Sequence, residues 1–174
     1  KCTLLAAVAV TKAIYDVTGV KVGIKWPNDI LYNGKKLVGI LTEMSAEMER
    51  INYIVLGIGI DVNISVEETP EDIRDIMTSL SQITGKKVSR LELLNKLLYH
   101  LEQLYIMAQK QSFAPILDEW RKYSITLNQE IKVISGNDVT YGEAVDIDDD
   151  GALLVKINGQ IKRVLAGDVS IRPR

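Results

Sequence analysis

Residues 4–18 set Leu4, Leu5, Val8, Ile14 and Tyr15, with the alanines between them, on one broad apolar face, and Gly19 supplies a helix stop. Val20, Val22 and Ile24 then alternate with polar positions, the period of a strand ending at Lys25. Trp26-Pro27-Asn28-Asp29 interrupts it, because proline cannot donate to a sheet ladder and Asn and Asp favour turns. Ile30 to Tyr32 and Lys35 to Glu43 read as two strands joined by Asn33-Gly34, a pair that accepts positive φ and so marks a hairpin. Ile51 to Ile64 is apolar and β-branched, as a buried strand would be.

Two helix starts follow. Thr69-Pro70-Glu71-Asp72 offers a capping hydroxyl, a first-turn proline and acids, predicting a helix that Gly85 closes. Ser89-Arg90-Leu91-Glu92 has the form of a capping box and opens a long helix through Leu93, Leu97, Leu101 and Leu104. A further helix is predicted near Phe113 to Tyr123. Beyond Thr126 the pattern changes to five short alternating runs, at 130–134, 140–147, 152–157, 160–164 and 169–172. Turns at Gly136-Asn137-Asp138, Asp148 to Gly151, Asn158-Gly159 and Ala166-Gly167-Asp168 separate them, which suggests a small SH3-like β-barrel. The domains are placed at 1–127 and 128–174.

Composition narrows the chemistry. The chain has 174 residues, with 21 basic and 23 acidic ones. Residues 128–174 carry 6 basic and 8 acidic residues and the remainder 15 of each, so neither part has the basic footprint of a nucleic-acid binder. A single cysteine, Cys2, excludes an internal disulfide and fits a reducing, cytoplasmic setting. The lone His100 excludes multi-histidine metal sites. No apolar run approaches the roughly 20 residues that span a bilayer, so no membrane partner is expected.

Three segments carry candidate chemistry. Lys25-Trp26-Pro27-Asn28-Asp29 ends a strand with a cation, a large aromatic, turn formers and an acid. It is either an ordinary strand exit with Trp26 in the core, or a turn that offers Lys25 to a phosphate and Asp29 to Mg²⁺ or a lysine. In Lys35-Lys36-Leu37-Val38-Gly39 alternation sends the two lysines to opposite faces, and Gly39 leaves room for something to approach the backbone. Read alone, such lysines are usually solvated; a carboxylate or phosphate could also sit there. Gly57-Ile58-Gly59-Ile60-Asp61-Val62-Asn63 lacks the third glycine of a dinucleotide fingerprint. It is either close packing at a sheet crossing or a flat floor for a planar ligand. The acidic run Asp146 to Asp150 reads as a solvated turn.

Taken in order, Lys-Trp-Pro-Asn-Asp at 25–29, Lys-Leu-Val-Gly-Ile-Leu at 36–41 with Glu43, and Gly-Ile-Gly-Ile-Asp-Val-Asn at 57–63 resemble the biotin protein ligase family. The tail, with Gly151-Ala152-Leu153-Leu154 and Gly167 to Arg172, resembles that family's small C-terminal domain. The resemblance implies an α+β fold: part of a mixed sheet akin to class II tRNA synthetases, flanked by helices, then the SH3-like barrel. It implies an enzyme that uses ATP and Mg²⁺ to make biotinyl-5′-AMP and passes biotin to a lysine of a biotin carboxyl carrier protein, such as that of acetyl-CoA carboxylase. A lipoate ligase and a non-catalytic binding module are the alternatives.

By the same resemblance Lys36 contacts the biotin carboxyl and the phosphate, and Gly39 and Leu41 line the biotin pocket. Lys25, Asn28 and Asp29 take the phosphate and Mg²⁺ side, with Lys36, Asp29 and Lys25 as catalytic residues. Gly57, Gly59 and Asp61 face the adenylate, and Arg172 reaches it from the tail. Asp61 stands where the family usually has Asn, which removes a donor toward adenine. The family's Gly/Arg-rich loop is missing, so these 174 residues are expected to be the later part of a longer protein and incomplete as an enzyme by themselves. A homodimer is also implied, and DNA binding only if a preceding domain carries it.

Overall fold

The computed structural model describes residues 1–47, 50–135, 138–165 and 170–173, with side chains left undescribed at 46, 50, 51, 135, 138 and 170–173. Helix α1 (Cys2–Thr18) precedes a four-stranded antiparallel sheet of β1 (Gly23–Lys25), β2 (Asp29–Tyr32), β3 (Lys35–Glu47) and β4 (Arg50–Ile60), in that spatial order. Helices α2 (Leu80–Thr84), α3 (Arg90–Lys110) and α4 (Ala114–Tyr123) follow. The last strands, β5 (Glu130–Ser135), β6 (Asp138–Ile147), β7 (Leu153–Ile157), β8 (Gln160–Val164) and β9 (Ser170–Pro173), form a second antiparallel sheet in the order β8-β7-β6-β5-β9. All five expected strands are present. Among the described residues no β8–β9 pairing closes them into a barrel.

The alternation of the first sheet decides where the core lies. Ile24, Ile30, Val38 and Ile60 are cross-strand partners, as are Ile40 and Ile58, so they share one face. That face packs beneath α1, whose Ala6, Ala7, Ala9 and Ala13 are fully buried. Small side chains there let the helix lie close to the strands. α1 ends at Gly19 in the left-handed conformation, as its sequence predicts. The Asn33-Gly34 hairpin turn is also as expected, with φ of 48° and 80°.

The helix expected from Thr69 is not formed. Only a 3₁₀ turn spans Glu71–Ile73, and α2 begins later, capped by Ser79, which accepts from Gln82 N. The Thr69 hydroxyl donates instead to Ser65 O at 2.8 Å, so it caps nothing. Residues 76–78 are drawn to β3: Lys36 N donates to Ile76 O (2.7 Å) and Thr78 N to Lys36 O (2.9 Å). The Ser89 cap of α3 is as expected, Glu92 N donating to the Ser89 hydroxyl at 3.2 Å.

The C-terminal sheet is tied to the first by specific bonds. Trp26, 2% exposed, donates its indole N–H to Gly151 O at 3.0 Å and its backbone N–H to the Thr126 hydroxyl at 2.9 Å. Arg121 of α4 pairs with Asp146 of β6 at 2.7 Å and donates to Ile147 O at 2.9 Å. The acidic run is therefore not simply solvated, since Asp146 holds Arg121 and Asp148 accepts from Arg163, Asp150 N and Ala152 N. The turns at Gly136-Asn137 and Ala166 to Asp168 lie outside the described residues.

Candidate functional site

The face of the first sheet turned away from α1 holds most of the candidate residues. Lys25 pairs with Asp29, Asp29 with Gly39, and Gly39 with Gly59, so the four stand in one row across four strands. At about 4.8 Å between strands the row spans about 14 Å. The next row pairs Leu41 with Gly57. Gly57 and Gly59 are exposed, and a β-carbon at either would meet nothing nearer than 3.7 Å. The glycines thus leave a flat backbone floor, with the exposed Leu41 at its side.

A β-bulge brings Lys36 to this floor. Ile30 pairs with Val38 but Leu31 pairs with Lys36, so Leu37 is the extra residue, and the bulge turns Lys36 onto the face of Asp29 and Gly39. Without it, alternation would send Lys36 toward α1. The buried Leu37 is the side chain displaced by this change of face. The Lys36 ammonium then lies 2.6 Å from Asp29 Oδ1. Its Cε and Nζ would stand 3.2 and 3.4 Å from a β-carbon at Gly39, so the glycine makes the space that the lysine occupies. Asp29 Oδ1 is buried and makes no hydrogen bond of good geometry, so it keeps acceptor capacity beyond the ion pair.

Asp61 completes the face two residues beyond Gly59. Its backbone is fixed on both sides: Asp61 N donates to Leu37 O at 3.1 Å, and Leu80 N donates to Asp61 O at 2.9 Å. Burial pushes the Asp61 carboxyl above the ordinary carboxylate range, and the charge of Lys36 opposes that push. The site therefore has an open floor of glycine backbone, an apolar side at Leu41, and a central cation between two acids. A planar ligand with an anionic group near Lys36 fits that arrangement.

Two further expected residues, Asn28 and Lys25, stand at the margins of this face, and the side chain of a third lies outside the described residues. Asn28 sits in the turn after the cis Trp26–Pro27 peptide and donates from Nδ2 to Ile40 O at 2.9 Å, while its own carbonyl accepts from Ile40 N at 3.0 Å. It ties the turn to β3 at the edge of the floor. Beside it a cleft of about 680 Å³ is walled by Thr3, Leu41, Thr42, Gly151 and Leu165. Lys25 shares the row with Asp29 but lines a separate hollow of about 200 Å³ with Thr126 and Gln129. Arg172 of β9 pairs through its backbone with Lys132 of β5, and its side chain lies outside the described residues.

The sequence reading missed the contacts that hold these residues in place: the Thr3–Thr42 hydroxyl pair at 2.9 Å and the bond from Lys35 Nζ to Arg74 O at 2.9 Å. Both join positions 39 residues apart, and no local pattern signals them. Among the described residues no group of three His, Cys, Asp or Glu side chains could hold a metal. Among the described residues no helix is long and apolar enough to cross a membrane.

Comparison with known proteins bears on the same residues. Residues 2–61 match the Biotin/lipoate A/B protein ligase family and residues 126–172 the Biotin protein ligase C terminal domain. The Bifunctional ligase/repressor BirA of Bacillus subtilis is 42% identical over 97% of this chain, and the chain spans about half (52%) of that relative's length. The Biotin--[acetyl-CoA-carboxylase] ligase of Mycobacterium tuberculosis is 32% identical over 96% of this chain, which covers 60% of it. The biotin protein ligase of Aquifex aeolicus solved in complex with biotin and ATP superposes with a TM-score of 0.84 at 30% identity, over 99% of this chain and 71% of that one.

Proposed function

The chain belongs to the biotin protein ligase family, and from that premise we propose that the protein joins biotin to ATP as biotinyl-5′-AMP and then passes the biotin to a lysine of a biotin carboxyl carrier protein. The observation that carries this reading is the Lys36 ammonium held over Gly39 beside an exposed glycine floor. In the first step a biotin carboxylate oxygen attacks the α-phosphorus, and the bond to pyrophosphate breaks. Two anions must approach each other, so a fixed cation at their meeting point lowers the barrier. Lys36 is that cation, with Gly39 and Leu41 lining the biotin side and Gly57, Gly59 and Asp61 the adenylate side.

In the second step the carrier's lysine amine attacks the mixed anhydride carbonyl and AMP leaves. Asp29 is positioned to help that amine lose its proton. Lys25 and Asn28 are assigned to the phosphate side, and Arg172 is assigned to the adenylate. Mg²⁺ accompanies the ATP; magnesium sites commonly use one or two carboxylates plus substrate phosphates, and Asp29, with spare capacity on Oδ1, fits as that carboxylate.

The C-terminal match at 126–172 favours biotin over lipoate. The reaction is placed in the cytoplasm, and the tail is taken as SH3-like. The exposed Met44, Tyr53, Ile54 and Val55 of β3 and β4 support a homodimer joined at that end of the sheet. A repressor role, which the Bacillus subtilis relative's name includes, would need a DNA-binding segment outside these 174 residues. The test is calorimetric titration of the full-length protein with biotin and with lipoate, followed by pyrophosphate release on adding ATP. Submicromolar biotin binding with pyrophosphate release is expected. Lipoate preference, or no release with either acid, would overturn the reading.

A further inference from the structure

Lys35 and Lys36 are adjacent but face opposite sides of β3, and only Lys36 reaches the glycine floor. Lys35 turns instead to the segment that leaves β4, passes through the 3₁₀ turn at Glu71–Ile73 and returns to the sheet. Its ammonium donates to Arg74 O at 2.9 Å. Just beyond, the same segment brackets the next residue, Ile76 O accepting from Lys36 N at 2.7 Å and Thr78 N donating to Lys36 O at 2.9 Å. These two bonds take the place of ladder partners that β4 no longer provides, since its pairing with β3 begins at Val38–Ile60. The backbone of Lys36 is therefore held on one edge by Leu31 of β2 and on the other by residues 76–78.

This arrangement matters because of the bulge. A bulged residue leaves the ladder locally broken, and Leu37 is the extra residue directly after Lys36. The conformation that turns Lys36 onto the floor rests on the 76–78 strap as much as on β2. The strap has its own supports farther along, with Arg74 Nε donating to Thr69 O (2.8 Å) and Leu80 N to Asp61 O (2.9 Å). Nearer Lys36, the Thr78 hydroxyl donates to Gln82 Oε1 at 3.4 Å within the same segment, and the side-chain bond that reaches the strap from β3 is that of Lys35.

We propose that Lys35 is a positioning residue: its bond to the Arg74 carbonyl fastens the 74–78 strap to β3 and so fixes the ammonium of Lys36 over Gly39. The role in catalysis rests on the biotin ligase reading; the fastening itself does not.

The test uses the full-length protein with Lys35→Met, which keeps the length of the side chain and removes its donor, and Lys35→Arg, which restores one. Hydrogen exchange in the absence of substrate reads the fastening directly. Lys35→Met is expected to speed exchange of the Lys36 and Thr78 amides about tenfold while leaving α1 and the C-terminal sheet unchanged, and Lys35→Arg to return most of that protection. Pyrophosphate release then reads the consequence: a loss of about tenfold in kcat/KM in Lys35→Met that disappears when Lys36 is already alanine. A general loss of stability would instead add to the Lys36→Ala defect. Unchanged exchange at Lys36 and Thr78, or a fully additive double variant, would overturn the proposal. If the wild-type protein releases no pyrophosphate, the ligase reading fails by itself and the exchange result still decides the fastening.

Discussion

The two faces of the four-stranded sheet are built by the same strands and put to opposite uses. Toward α1, Ile24, Ile30, Val38 and Ile40 are at most 2% exposed and packed against alanines. On the other face the same strands carry Lys25, Asp29, Gly39, Gly57, Gly59 and Leu41. Glycine within a strand costs about 0.5–1 kcal/mol relative to alanine, so Gly39, Gly57 and Gly59 together forgo about 2 kcal/mol. The contrast teaches that stability is concentrated on one face, leaving the other free to be shaped for a ligand at the fold's expense.

Substitutions on the two faces should therefore separate activity from stability. The largest effect is expected for Lys36→Ala in the full-length protein. Loss of one charge-stabilising donor typically costs about 10²–10³ in rate, so pyrophosphate release should fall by that factor with an unchanged melting temperature. A parallel collapse of Tm would break the contrast, because it would make Lys36 a structural residue. Next, Ile30→Ala on the packed face should cost about 2–5 kcal/mol by denaturant unfolding, as large-to-small core changes do, while biotin affinity in the surviving folded fraction stays within about twofold. An unfolding midpoint unmoved by this change would mean that the packed face does not hold the fold.

Gly59→Ala should do the reverse. Its new methyl would meet only Gly39 O, at 3.8 Å, so the fold should gain about 0.5 kcal/mol. ATP binding should weaken about tenfold by calorimetry, because the methyl stands on the adenylate side of the floor; equal affinity would remove the floor from the site. The smallest effect is expected at Asp61. Burial raises its carboxyl pKa in the folded state, so ionising it opposes folding at pH values above its folded pKa. Below the unfolded value of about 3.9 the penalty vanishes. Asp61→Asn should then raise Tm slightly at pH 7 and not at all near pH 3, and a gain that is the same at both pH values would point to packing rather than charge.

Much of this contrast was legible in the sequence. The α1 periodicity, the Asn33-Gly34 turn, the Ser89 cap and the five tail strands are local signals, and local chemistry enforces each. The glycine spacing at 39, 57 and 59 suggested a floor. What could not be read was set by partners distant in sequence. Thr69-Pro70-Glu71-Asp72 has the form of a helix start, but pairing of residues 76–78 with Lys36 draws the chain away from it. The face that Lys36 occupies depends on one extra residue, Leu37, whose apolar character gives no hint of a bulge. The bond from the Asn28 amide to the Ile40 carbonyl, which fixes the turn against β3, joins positions 12 residues apart and has no local signature.

The indole of Trp26 ties the turn beside the floor to the peptide carbonyl of Gly151 in the tail. A main-chain oxygen is supplied whatever the side chain, yet Gly151 adopts φ of 85° and has Leu4 pressed against the site of its missing β-carbon. Tails exchanged between relatives should graft successfully when that one glycine is retained, however much the strands around it diverge. Trimming the tail by protease would strand the Trp26 N–H beside the floor, so damage far from the ligand would be felt at the turn that borders it.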